Sequence, residues 1–190
     1  ESAGRISRLE NLDKLRGLRS LNVSRNVLAS LGPLGAPKVA ALTSIDASGN
    51  SLASLDGLQA LASSLRTLTL TSNQVERLPQ WLGGFRKLEQ LGVAHNRLAE
   101  LRDLRVLHDI PQLASLEFAG NPIAALPQAR LFAVHACPSL QRLDQTSVSI
   151  EEVREAKERF DRTAHEELKA EVDRLSQREA ALVTQLAEAA

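Results

Sequence analysis

Five asparagines, Asn26, Asn50, Asn73, Asn96 and Asn121, recur 24, 23, 23 and 25 residues apart. Each closes the same phrase. Leu18, Leu21, Val23, Asn26 and Leu28 set it, and Leu42, Ile45, Ala47, Asn50 and Leu52 repeat it. Leu65, Leu68, Leu70, Asn73 and Val75 follow, then Leu88, Leu91, Val93, Asn96 and Leu98. Leu113, Leu116, Phe118, Asn121 and Ile123 form the fifth copy. A half-copy (Ile6, Leu9, Leu12) precedes them, and a closing half-copy (Leu140, Leu143, Asp144) follows. No single phrase of this length can bury its own apolar residues. A fixed period therefore implies stacked repeats, each covering its neighbour.

The phrase is the LxxLxLxxNxL signature of the leucine-rich repeat. Its central apolar residues alternate as a short strand does, so the leucines point inward. The asparagine comes where the chain turns off the strand. Its amide can satisfy turn backbone groups that would otherwise be buried and unpaired. The asparagines are read as an internal ladder and not as a polar site. The expected fold is an α/β solenoid, a horseshoe of short parallel strands with helical or 3₁₀ return segments, followed by a long C-terminal α-helix.

Composition agrees. Hydrophobic residues make up 43% of the chain and aromatics only 3%, so the core is aliphatic. Formal net charge is zero, divided as about +4 over residues 1–147 and −4 over 148–190. Neither value matches the dense basic surface of a nucleic-acid or membrane binder. Cys137 is the lone cysteine, which points to a reducing, cytoplasmic setting. No apolar run approaches the ~20 residues needed to cross a bilayer, so no membrane insertion is expected. The chain opens at Glu1 partway through a repeat, which reads as a fragment.

Two regions are expected: the solenoid with its cap over residues 1–147, and a capping helix continuing into a coiled coil over 148–190. Within the cap, 128–136 reads as a helix with Leu131, Phe132 and Val134 or His135 near the core, stopped by Pro138. Ser147 or Ser149 serves as N-cap of the next helix, with acidic residues in its first turn. Ile150, Val153 and Phe160 form its capping stripe. Beyond it, Leu168, Leu175 and Leu182 are spaced by seven, and Val172 and Leu186 take the alternate seam positions. His165 and Glu179 interrupt that seam. The step Phe160–Ala164–Leu168 shifts the register before the heptads begin. A homodimer through this helix is expected.

The outward strand residues line the concave face. Asn22, Asp46, Thr69, Thr71 and Glu117 lie on it, among serines, threonines, Gln90, Gly92 and alanines. Arg25, His95 and Arg142 flank it. A flat face of small residues suits a helix or an extended peptide of a protein partner. Trp81, the only tryptophan, follows Pro79 on the return side with Leu82 and Phe85. It is read as packing against the convex core, and as the convex hot spot if more exposed. Catalysis, cofactors and metals are not expected. Leu82-Gly83-Gly84-Phe85 lacks the Lys-Ser/Thr of a phosphate loop, and His95, His108, His135 and His165 fall on different elements.

Several stretches resemble centriolin-like proteins. These are Val75-Glu-Arg-Leu78-Pro79-Gln-Trp81-Leu82-Gly83, Asn96-Arg-Leu98 with Leu101-Arg-Asp103-Leu104, and the exit Glu155-Ala156…Glu158-Arg159-Phe160. That resemblance implies a coiled-coil scaffold at centrosomes, centrioles or basal bodies of cilia, a cytoskeletal location. The end pattern Asn121-Pro122-Ile123…Leu140…Leu143-Asp144 is also similar to SDS22-like phosphatase-regulatory solenoids. The Asn-Pro…Leu-Asp…Val148 exit resembles the U2 snRNP A′ component, which implies a nuclear adaptor.

Overall fold

The computed structural model describes residues 4–12, 15, 17–35 and 41–162. Among these, the strands β1 (Ser20–Asn22), β2 (Ser44–Asp46), β3 (Thr67–Thr69), β4 (Gln90–Gly92), β5 (Ser115–Glu117), β6 (Arg142–Leu143) and β7 (Thr146–Ser147) form one sheet in sequence order. β1 to β6 run parallel, and β7 folds back antiparallel on β6. The solenoid fold expected from the repeats is observed. Leu21, Ile45, Leu68, Leu91, Leu116 and Leu143 stand in register across it. Return segments are short 3₁₀ turns at Gly32–Gly35, Gln59–Leu61, Gln80–Gly84, Leu101–Asp109 and Pro122–Ala125.

The asparagine ladder is built as the pattern requires, and it has a direction. Asn73 Nδ2 donates to Leu70 O at 2.9 Å in its own repeat and to Ala47 O at 3.0 Å in the preceding one. Its Oδ1 accepts from Leu52 N at 3.0 Å, again in the preceding repeat. Asn50, Asn96 and Asn121 repeat this arrangement with Leu28 N, Val75 N and Leu98 N. Asn26 takes Ile6 N at 2.7 Å, which places the opening half-copy in register. Among the described residues no buried side-chain N or O lacks a partner.

The turn into each asparagine needs a left-handed residue just before it. Arg25 (φ 57°), Gly49 (66°), Ser72 (57°), His95 (53°) and Gly120 (72°) hold these five positions. Non-glycine residues there pay ~1–2 kcal/mol against the side chain, which the ladder bonds offset.

The C-terminal end is closed by three devices. Asp144 (φ 46°) and Gln145 (φ 66°) make a two-residue turn of the I′ kind that delivers β7. Helix α1 (Ala129–Ala136) covers the last core layer with Ala129, Ala133 and Val134 buried, while Leu131, Phe132 and His135 are half-buried. Helix α2, described over 150–162, starts with a reciprocal capping box. Glu152 N donates to Ser149 Oγ at 3.1 Å, and Ser149 N donates to Glu152 Oε2 at 2.9 Å.

The stripe expected to cap the solenoid is corrected here. Ile150 is 85% and Val153 43% exposed; of the expected stripe Phe160 makes its contact, and fully buried Ala156 joins it in place of the other two. Phe160 meets Phe132 edge-on at 5.2 Å and lies 5.3 Å from the His135 ring. The cause is the bond between Arg130 Nε and Glu152 Oε1 (2.6 Å), which turns the Glu152–Ala156–Phe160 face, spaced by four, toward α1. The seam residues Leu168, Val172, Leu175, Leu182 and Leu186 lie outside the described residues.

Candidate functional site

The sheet presents its outward side chains in rows. One row is Ser20, Ser44, Thr67, Gln90, Ser115 and Arg142; the next is Asn22, Asp46, Thr69, Gly92 and Glu117. At the N-terminal side the polar residues are tied to their own strands. Asn22 Oδ1 accepts from Ser24 N (3.0 Å) and Ser24 Oγ (2.8 Å). Asp46 Oδ1 accepts from Ser48 N (3.0 Å) and Ser48 Oγ (2.7 Å). Both side chains therefore finish the strand end and have less left to offer a partner.

The C-terminal half differs. Gly92 and Ala94 are buried although they point outward; over Gly92 the Thr69 and Thr71 side chains lean in. A β-carbon at Gly92 would lie 3.2 Å from Thr69 Cγ2 and 3.6 Å from Thr71 Oγ1. The result is a shallow floor lined by Thr69, Gln90, Ser115 and Glu117, continuous with a second depression lined by Gln90, Ser115, Glu117, Arg142 and Gln145. Glu117 and Arg142 sit in adjacent rows on its rim. Gln145 is the residue sequence reasoning missed. It reaches this rim only because the hairpin turn exists.

The flank is a row of its own. Arg25 leans over Gly49, its Cγ 3.7 Å from where a β-carbon would stand, and His95 covers Gly120 more tightly. Of the residues expected on the face, the structure groups Thr69, Glu117 and Arg142 around one depression and sets Thr71 and His95 toward its turn side. Asn22 and Arg25 stand at the far N-terminal end, and Asp46 lies between. Trp81 is on the other side of the solenoid, half-buried against the core, with its ring 6.0 Å from Phe85.

Other polar groups are structural. Arg130 is the hub of the cap. It donates to both Glu152 oxygens (2.6 and 3.2 Å) and to Thr146 Oγ1 (2.8 Å). That bond, with the Ser149 amide, holds the Glu152 carboxyl below its ordinary range. Burial pushes the Cys137 thiol up, and its Sγ faces Leu113 O at 3.5 Å, an arrangement for packing and not for attack. Burial, reinforced by Glu100, raises Asp103 in a groove on the return side, where Arg77 and Arg102 oppose that rise. Among the described residues no group of His, Cys, Asp and Glu is arranged to hold a metal, and no helix is long and apolar enough to cross a membrane.

Comparisons with known proteins agree with this geometry. The family model described as leucine-rich repeat matches residues 15–173. U2 small nuclear ribonucleoprotein A′ of Arabidopsis thaliana is 32% identical over 153 residues, covering 80% of this chain and 61% of that protein. Leucine-rich repeat-containing protein 23 of Xenopus tropicalis is 36% identical over 104 residues, 55% of this chain and 29% of that one. The chain thus spans less than two thirds of these curated relatives. Among solved structures, the Drosophila melanogaster SNF/U2A′ complex matches with a TM-score of 0.69 and 27% identity, covering 80% of this chain and 87% of that one. A leucine-rich-repeat protein of Leptospira interrogans shares the fold at 22% identity and a TM-score of 0.63, over 73% of this chain and 34% of that one.

Proposed function

The chain belongs to the leucine-rich-repeat family, and from that premise we propose that it is a non-enzymatic adaptor whose concave face seats a protein partner. The observation that carries this is the depression on the concave face lined by Gln90, Ser115, Glu117, Arg142 and Gln145, with Glu117 and Arg142 on its rim. A shallow depression of mostly uncharged polar side chains gives a partner segment room to lie, and two opposite charges on the rim fix its orientation.

The more specific reading is a U2A′-like adaptor. The similarity to U2 small nuclear ribonucleoprotein A′ and to a chain of the SNF/U2A′ complex supports it. By analogy the partner is a protein of a nuclear ribonucleoprotein particle, and the solenoid contacts that protein and not the nucleic acid. A second reading is a microtubule-associated scaffold at centrioles or basal bodies, dimerised by residues 168–186. The seam leucines and the resemblance to centriolin-like proteins favour it. The shared end pattern alone speaks for an SDS22-like phosphatase regulator.

The test is affinity purification of the tagged protein from its own cells, combined with imaging. The first reading expects nuclear signal and co-purification of U2 particle proteins. It also expects the Glu117→Lys/Arg142→Glu variant to lose them while its circular dichroism is unchanged. Signal confined to basal bodies overturns it in favour of the scaffold. Co-purification untouched by the double variant overturns the concave face as the binding surface.

A further inference from the structure

The fourth repeat differs from its neighbours on the return side. Asn96 and Asn121 stand 25 residues apart, the widest of the four steps. The added length falls in the 3₁₀ segment Leu101–Asp109, nine residues where the other described return turns have three to five. In a stacked array an enlarged repeat steps out from its neighbours, and such steps often carry a binding face. Here Arg102, Asp103 and Arg105 of that segment wall a groove of about 770 Å³, which segments 53–56 and 76–80 of the two preceding repeats complete. The depression beside Glu117 and Arg142 holds about 260 Å³, so the groove is the roomier surface. Buried Leu55, Leu78 and Leu104 fix its three segments to the core.

The charges of the groove are unevenly met. Arg102 Nη2 donates to Glu100 Oε1 at 2.9 Å, and Arg77 Nη2 lies 3.9 Å from the same oxygen. Arg97 stands 3.9 Å from Glu76, and Asp56 Oδ2 accepts from Ser54 Oγ at 2.9 Å. Asp103 is half-buried and forms no ion pair among the described residues. Burial and the Glu100 charge act on its carboxyl more strongly than Arg77 and Arg102 do. Such a carboxylate has lost water without gaining a counter-charge of its own. Beside it Glu76, Arg77 and Leu78 make no backbone hydrogen bond among the described residues.

We propose that this groove docks an extended, basic segment of another protein, with a lysine or arginine side chain seated at Asp103. The cation supplies the counter-charge that Asp103 lacks, and Asp56 gives a second carboxylate along the same groove. The unmade backbone groups of 76–78 favour a partner that brings its own main chain alongside. An acidic segment is the poorer occupant. It would find Arg105 alone uncommitted, since Arg77 and Arg102 already share Glu100, and it would face Asp56, Glu76 and Asp103. The groove is separate from the concave face, and each reading can fail alone.

The probe is a fluorescein-labelled peptide of alternating Lys and Ser, titrated into the full chain and followed by anisotropy and amide hydrogen exchange. Saturable binding is expected, with slowed exchange at residues 76–78. Asp103→Asn weakens it by about tenfold. Ala53→Trp, at an exposed position that lines the groove, weakens it by filling the space while leaving every charge in place. Both variants keep the circular dichroism of the parent chain. An alternating Glu/Ser peptide does not bind, and Glu117→Lys/Arg142→Glu leaves binding unchanged. Absence of saturable binding, or binding indifferent to Asp103→Asn or to Ala53→Trp, overturns the proposal. So does protection that appears around Glu117 and not at 76–78, which assigns the peptide to the concave face.

Discussion

The imidazole of His95 occupies the space that a side chain at Gly120 would need: a β-carbon there would stand 2.3 Å from Nδ1. The two residues hold equivalent positions in successive repeats, and both are left-handed, with φ of 53° and 72°. Gly120→Ala therefore meets two costs at once, the left-handed backbone and the displaced ring. We expect a loss of ~2–3 kcal/mol from backbone strain and the steric clash together, read by urea denaturation. Gly120→Ala in a His95→Ala background should recover part of it; equal losses in both backgrounds would show that the ring is not involved.

Asn73 and Asn26 separate the ladder's interior from its end. Asn73 is 8% exposed and satisfies Ala47 O, Leu70 O and Leu52 N, whereas Asn26 is half-buried. Asn73→Ala leaves these groups buried and unpaired and should cost ~2–4 kcal/mol, at ~1–3 kcal/mol for each unsatisfied group. Asn26→Ala should cost less, since water can reach its turn. Similar chemical-denaturation midpoints for the two variants would contradict the ladder account.

The cap should respond to acid through Glu152. Its carboxyl is held below the ordinary value of 4.5 by Arg130 and by the Ser149 amide. A depressed folded-state value means the unfolded chain takes up the proton first. The stabilisation is therefore present above pH 4.5 and is lost as pH falls through the lower, folded-state value. Glu152→Gln should be less stable at neutral pH and should show a flatter decline between neutral pH and pH 3, by thermal melts. A decline of unchanged slope would assign the acid response to other carboxylates.

The heptad leucines make a separate prediction about assembly. If Leu168, Leu175 and Leu182 form a seam, sedimentation equilibrium of the full chain will show a dimer, and Leu175→Asp will return it to monomer. A strict monomer at high concentration would remove the homodimer from the functional reading.

The repeats were legible because one geometric demand, a polar ladder beneath a leucine layer, is imposed five times on the sequence. The capping box at Ser149 and Glu152 was half-legible: the spacing marks a helix start, but Ser147 competed for the cap. The hairpin to β7 was not, because Asp144-Gln145 is not the Asn-Gly or Asp-Gly pair that announces such a turn. Its left-handed conformation is supported by contacts distant in sequence. Asp144 Oδ1 accepts from Phe118 N and Ala119 N, to which the turn itself adds only the local bond from Thr146 Oγ1 to Leu143 O. The concave face was legible residue by residue, but the depression was not. It depends on the Thr69 methyl leaning over Gly92 and on Gln145 arriving from the turn. The exposure of Ile150 and Val153 was hidden for the same reason, since a side-chain bond from Arg130 sets the helix rotation.

From Asn50 to Asn121 each ladder asparagine reaches backward, donating to and accepting from the repeat before it. A chain emerging from the ribosome therefore carries a newest repeat whose polar groups stay unmatched until the next asparagine follows, 23 to 25 residues later. Synthesis and structural completion are offset by one repeat throughout. No sixth asparagine follows; Asp144, at the strand position next to Leu143, closes the last full repeat by accepting from Phe118 N and Ala119 N on its side chain. Nascent chains halted just before Asp144 should accordingly be more susceptible to protease in the fifth repeat than chains halted after Phe160.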